Sequence, residues 1–183
     1  MRTDLPDNGN STELPKVSIV TTRDRFLGQD YENAEVFVTQ EKEDIAAFNA
    51  WLNQAGDGDI AFFLPNTDDF ARRDAISLMV TKLESNPYFG CVYSDNLNEH
   101  IPIRYTAFGY ETVMSRKIIN SPILYRKNGP ASFDAQFETL FLHRFIIQTS
   151  KPDRIAAHIP KTLIVRDKCR INQAEVQMLH QMQ

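Results

Sequence analysis

The sequence predicts an α/β fold with a mostly parallel central sheet, and three observations predict it. Short apolar runs alternate with longer amphipathic segments in the order β, β, α, β, α, β, loop, β, α, β. One run, Ile60–Leu64, is apolar throughout and bounded by turn residues, the pattern of a strand covered on both faces. It ends in a polar loop carrying Asn66, Asp68 and Asp69, and in open α/β sheets ligands gather at the carboxyl ends of such strands. Those carboxylates are candidate metal or sugar ligands; alternatively, Asp68 or Asp69 caps the helix expected from Ala71.

The other elements follow in order. Residues 1–15 are rich in Asp, Asn, Ser, Thr, Pro and Gly and read as a flexible arm. Val17–Val20 is the first strand, followed by Thr21, Thr22, Arg23, Asp24 and Arg25. Hydroxyls and guanidinium groups at a strand's carboxyl end suit a diphosphate, because Arg pairs bidentately with phosphate oxygens; a solvated loop of mixed charge is the plainer reading. The second strand, Glu35–Thr39, comes too soon to leave room for a crossover helix. From Glu43 to Ala55 the residues Ile45, Ala46, Phe48, Trp51 and Leu52 recur at helical spacing and Gly56 stops the helix. Asn49 on that helix either holds backbone or reaches a ligand.

After the Ile60–Leu64 strand a helix is expected over Ala71–Glu84, ended by Asn86-Pro87. A buried strand, Phe89–Tyr93, leads to Ser94, Asp95 and Asn96 at its end. Residues 97–116 read as a long loop with a short helix. Ile118–Tyr125 reads as a strand, with Pro122 arguing for an edge position or an irregularity. Phe133–Thr149 is expected to be helical throughout, and Ile155–Val165 closes the sheet. The tail, 168–183, is a polar helix with a thin stripe of Ile171, Val176, Met178 and Leu179.

Composition narrows the function. With 42% hydrophobic and 24% charged residues over 183 positions, the chain buries a full core as one domain, 16–167, between arm and tail. A net charge of -4 and a pI near 5.6 argue against nucleic acid as a partner. Cys91 and Cys169 stand alone and fit neither a disulfide framework nor a zinc site, which points to a reducing, cytoplasmic setting. No apolar run is long enough to span a bilayer. His100, His143, His158 and His180 lack metal-ligand spacing and read as surface or structural residues; Trp51 reads as core.

Several pieces then carry a resemblance. They are KVSIVTT; the run Gln29–Val38, QDYENAEVFV; AAFNAWLNQA with Asn49; GDIAFFLPNTDD; VYSD over Val92–Asp95; and HIPKTLIVRD over His158–Asp167. In this order they resemble the family-2 inverting glycosyltransferases over roughly residues 16–167. The resemblance implies the GT-A fold, a Rossmann-like three-layer sandwich with a mostly parallel central sheet. It also implies transfer of a sugar from a nucleotide-diphosphate donor such as a UDP-sugar, with Mg²⁺ or Mn²⁺. By the same resemblance Thr21, Thr22, Arg23, Gln40 and Asn49 would hold the nucleotide and diphosphate. Asn66, Asp68 and Asp69 would hold the metal. A cation stabilises the departing diphosphate and a carboxylate takes the acceptor hydroxyl's proton.

Against that pattern the chain departs at several points. The Asp pair after the second strand becomes Gln40 and Glu41, leaving Gln40 where the nucleotide-holding carboxylate would be, and the first metal-loop Asp becomes Asn66. The catalytic segment reads Gln136, Phe137, Glu138, Thr139, with both Asp positions lost and Glu138 the only candidate base. The family's late His falls on Val165, and the first helix is missing. Losing base, nucleotide carboxylate and metal ligand together removes orders of magnitude of rate. A degenerate domain serving as scaffold or binding subunit is therefore expected, with other protein chains contacted through the tails. The alternative is a small metal-dependent transferase using Asp68, Asp69 and Glu138.

Overall fold

The computed structural model describes residues 13–22, 28–65, 70–98, 100–109, 118–166 and 173–181. In chain order the elements are β1 (Val17–Val20), β2 (Ala34–Phe37), α1 (Asp44–Gln54), β3 (Ile60–Phe63), β4 (Phe70–Ala71) and α2 (Ala75–Glu84). They continue with β5 (Phe89–Asn98), β6 (Ile101–Ile103), β7 (Ile123–Arg126), α3 (Phe141–Thr149), β8 (Ile155–Arg166) and α4 (Gln173–Gln181). One sheet runs β2-β1-β3-β7-β5-β8-β4, with β6 paired to β5. β1, β2, β3, β5 and β8 point one way, whereas β7, β4 and β6 oppose them, so the sheet is mostly parallel.

Strand periodicity divides the apolar residues between two faces. Val20, Phe63, Tyr93, Ile123 and Tyr125 point to the side covered by α1 and α3, where Phe48, Trp51, Phe141 and Phe145 meet them. Val17, Ile19, Phe62, Val92 and Leu124 point to the other side, where α2 lays down Ile76, Met79 and Leu83. Helix, sheet and helix make three layers. The first face is strongly aromatic: the Phe63 ring lies 4.8 Å from Phe48, 5.0 Å from Phe133 and 5.5 Å from Trp51.

The structure corrects five sequence expectations. First, the four leading strands share one sheet, but antiparallel β7 stands between β3 and β5. β7 is thus interior rather than an edge; Pro122 lies just before it, where its missing N–H costs no ladder bond. Second, α2 begins at Ala75 with Asp74 as its N-cap residue, not at Ala71 behind Asp68 or Asp69. Residues 70–71 pair with β8 instead, and the Arg72 amide donates to Leu163 O at 2.7 Å. Third, β5 runs on to Asn98, so Ser94, Asp95 and Asn96 lie inside the strand, not after it. Fourth, within the expected loop, Ile101–Ile103 forms β6.

Fifth, residues 133–140 are turns, and only Phe141–Thr149 is helical. Asp134 accounts for this, since its Oδ1 accepts from the Gln136 amide at 3.0 Å and its carbonyl from the Phe137 amide at 3.2 Å. An Asp side chain that binds nearby backbone offers the chain an alternative to the helix. At the ends, Pro15 O and Leu14 O accept from Tyr31 and Asn33, and Val176 of α4 packs against the aromatic core while Met178 is exposed. Residues 1–12, Ile171 and the side chain of Leu179 lie outside the described residues.

Candidate ligand cleft at the carboxyl edge of the sheet

Register fixes the geometry of the edge. Phe37, Val20, Phe63, Ile123, Tyr93 and His158 stand in one paired row across six strands. Thr22 and Asp95 each lie two residues beyond that row, toward the carboxyl edge of the parallel strands. Three strand spacings separate β1 from β5, about 14 Å at ~4.8 Å each.

At the β1 end Thr21 and Thr22 are half-buried, and the Thr22 hydroxyl donates to Asp44 Oδ1 at 2.9 Å, joining the loop to the first turn of α1. Gln40 is exposed beyond β2. Asn49 binds backbone at both ends of its amide: it accepts from the Phe133 amide at 2.7 Å and donates to Phe133 O at 3.1 Å. Arg23, Arg25, Asn66, Asp68 and Asp69 lie outside the described residues.

Glu138 stands exposed in the turns ahead of α3, between buried Phe137 and half-buried Thr139. Phe137 is wholly buried in the aromatic core, with the Arg144 guanidinium 5.9 Å from its ring centroid. The Thr139 carbonyl accepts from Asn120 Nδ2 at 3.1 Å. Glu138 and Thr139 lie in the turns before α3 and not in the helix expected over Phe133–Thr149.

Sequence reasoning missed the most ordered polar group of this edge. Asp95, 6% exposed, receives His158 Nε2 at 2.7 Å and the Tyr105 amide at 2.9 Å, both on Oδ1. His158 stacks on Tyr93, with centroids 5.1 Å apart. Beside the pair, Asn96 Nδ2 donates to Asn120 O at 3.1 Å, Ser121 Oγ to Asn96 Oδ1 at 3.0 Å, and Arg166 to Asn120 O at 2.8 Å. Buried polar groups in a satisfied network hold one arrangement rigidly. Burial, with Cys91 and Asp95 nearby, pushes the Tyr93 phenol well above its ordinary range, and its hydroxyl donates to Thr106 O at 2.6 Å. The signal was present in VYSD and HIPK, which contain Asp95 and His158. His143, by contrast, is a structural residue whose Nδ1 accepts from the Ile119 amide at 3.0 Å.

No family model matches the chain, and no curated protein matches it. Among solved structures, S. aureus TarS residues 1–349, a glycosyltransferase, superposes with a TM-score of 0.55, covering 90% of this chain and 69% of that one. The fold is glycosyltransferase-like. Sequence identity over this match is 9%, so the likeness is one of fold and assigns no residue a role. Among the described residues no helix is long and apolar enough to cross a membrane.

Proposed function

We propose that this chain is a degenerate glycosyltransferase-like domain, derived from the family-2 pattern, that acts as a scaffold or binding subunit and turns nucleotide sugar over poorly. One observation carries the reading. Where the resemblance calls for a proton-accepting carboxylate, Phe137 is built into the aromatic core, and its neighbour Glu138 faces solvent. A phenyl ring accepts no proton, and a solvated carboxylate is not held against a substrate hydroxyl. The commitments of Asn49 to Phe133 and of Thr22 to Asp44 support it, since both side chains already serve the frame. The donor set Asn66, Asp68 and Asp69 is all oxygen and fits Mg²⁺ or Mn²⁺, with one ligand neutral. A cation held there would offset the charge of a diphosphate. Contacts with other chains through the arm and tail belong to the same reading.

Calorimetric titration with UDP and Mn²⁺, paired with a sugar-release assay, tests it. Absent or millimolar UDP binding without release is expected. Micromolar, metal-dependent binding with release that disappears in Glu138→Gln would establish the active transferase instead.

A further inference from the structure

We propose that the turn from α3 into β8 is the surface by which this domain holds another protein, and that it takes an extended segment in which an acidic residue neighbours a large apolar one. The inference rests on the reading of the domain as a scaffold or binding subunit and names its partner surface. That surface lies at the amino ends of β5 and β8, the opposite edge of the sheet from Thr22 and Asp95.

Charge is the first support. The Lys151 amide donates to Arg154 O at 2.8 Å and the Arg154 amide to Lys151 O at 2.9 Å, closing a turn over Pro152 and Asp153. Residues that exchange both backbone bonds send their side chains to the same face, and like charges directly opposite one another repel. Arg154 is held in place: its stem lies along Gly90, where an added Cβ would stand 3.6 Å from Arg154 Cδ, and its guanidinium donates to Arg126 O at 3.3 Å. Lys82 brings a third cation to this edge, 5.2 Å from the ring centroid of Phe89, which pairs with Ile155. Among the described residues no carboxylate forms an ion pair with Lys82, Lys151 or Arg154, and Asp153 is the one acid of the turn. In a chain of net charge -4 this edge is locally cationic, and a partner's carboxylate relieves the repulsion.

Shape is the second support. A cavity of about 390 Å³ opens beside the turn, walled by Phe108, Ile147, Pro152 and Ile155. Ile155 is 38% exposed and Tyr88 59%, and the Ile155 amide donates to Tyr88 O at 2.9 Å, so the apolar wall continues onto an uncovered tyrosine. An apolar centre with a charged rim, rich in Tyr and Arg, is the anatomy of a protein interface. A free anion leaves the apolar cavity unfilled, and an apolar ligand leaves the cations unpaired; an acidic, apolar segment meets both.

A phage-displayed library of random linear peptides is selected against the immobilised full chain, and the enriched peptide, made synthetically, is titrated by fluorescence anisotropy. The expected result is a consensus that sets Asp or Glu beside a large apolar residue and binding that weakens as salt rises, with a loss of about tenfold or more in Lys151→Glu and in Ile155→Asp. Urea midpoints check that both variants fold; should Ile155→Asp fail, Lys151→Glu, at an exposed position, still decides. No enriched consensus, a consensus without an acid, or equal binding to Lys151→Glu and the parent overturns the proposal. So does dimerisation in sedimentation velocity that Lys151→Glu abolishes, which would assign the groove to a second copy of this chain. UDP binding with sugar release would remove the scaffold reading whatever the peptide does, whereas a failed selection in a domain that neither binds UDP nor releases sugar removes this inference alone.

Discussion

Replacing Asn49 separates a frame residue from a ligand residue. Its amide holds both backbone groups of buried Phe133, at 2.7 and 3.1 Å. Asn49→Ala strands one donor and one acceptor, each costing about 1–3 kcal/mol when left unsatisfied. Asn49 is half-buried, so water relieves part of the gap, and the expected loss is about 2–3 kcal/mol, in the lower half of that sum. Asn49→Asp keeps an acceptor for the Phe133 amide but sets a carboxylate against the Phe133 carbonyl, and is expected to be no more stable than the alanine variant. Urea unfolding measures both, with the midpoint falling at constant slope. Full stability in Asn49→Ala, within about 0.5 kcal/mol of the parent, would refute the argument that Asn49 serves the frame.

Three further outcomes are expected. Phe63→Ala, which removes the ring that Phe48, Trp51, Phe133 and Phe145 surround, should cost about 3–5 kcal/mol in the same urea experiment. Glu138→Gln, on an exposed turn, should leave stability within about 0.5 kcal/mol and UDP titration unchanged. Burial raises the phenols of Tyr93 and Tyr125, so the folded state holds those protons more tightly than the unfolded chain. The resulting stability is complete below pH ~10 and lost as pH climbs above it, so phenolate absorbance of these residues should appear together with loss of the fold in an alkaline titration.

Local pattern made β1, β3 and α1 legible, because Val17–Val20, Ile60–Phe63 and Asp44–Gln54 carry their own periodicity. What escaped was decided at long range. β5 reads as ending at Tyr93 because Ser94, Asp95 and Asn96 look like a loop; they stay in the strand because Ser121, His158 and Asn120 satisfy them from elsewhere in the chain. Phe133–Leu140 has helical spacing, yet Asn49, 84 residues earlier, holds Phe133 in place and Asp134 turns the backbone behind it. Phe70–Ala71 joins β8, a partner that no window around position 70 contains. The Asp95–His158 couple spans 63 residues, so each half looked ordinary alone.

The insertion of β7 between β3 and β5 sets the order in which this protein can be made. Ile60 pairs with Arg126 and Cys91 with Tyr125, so β2-β1-β3 and β5 share no ladder until the chain has been synthesised past residue 126, and β8 joins β5 only after residue 155. During translation the apolar edges of β3 and β5 both wait for one four-residue strand, and non-local pairings of this kind close slowly. An open edge is a template for the wrong neighbour. Chains stalled or cut before Ile123 would therefore carry the open edge of β3 and open edges on β5 toward both β7 and β8 at once, making nascent chains of that length the ones most dependent on chaperones.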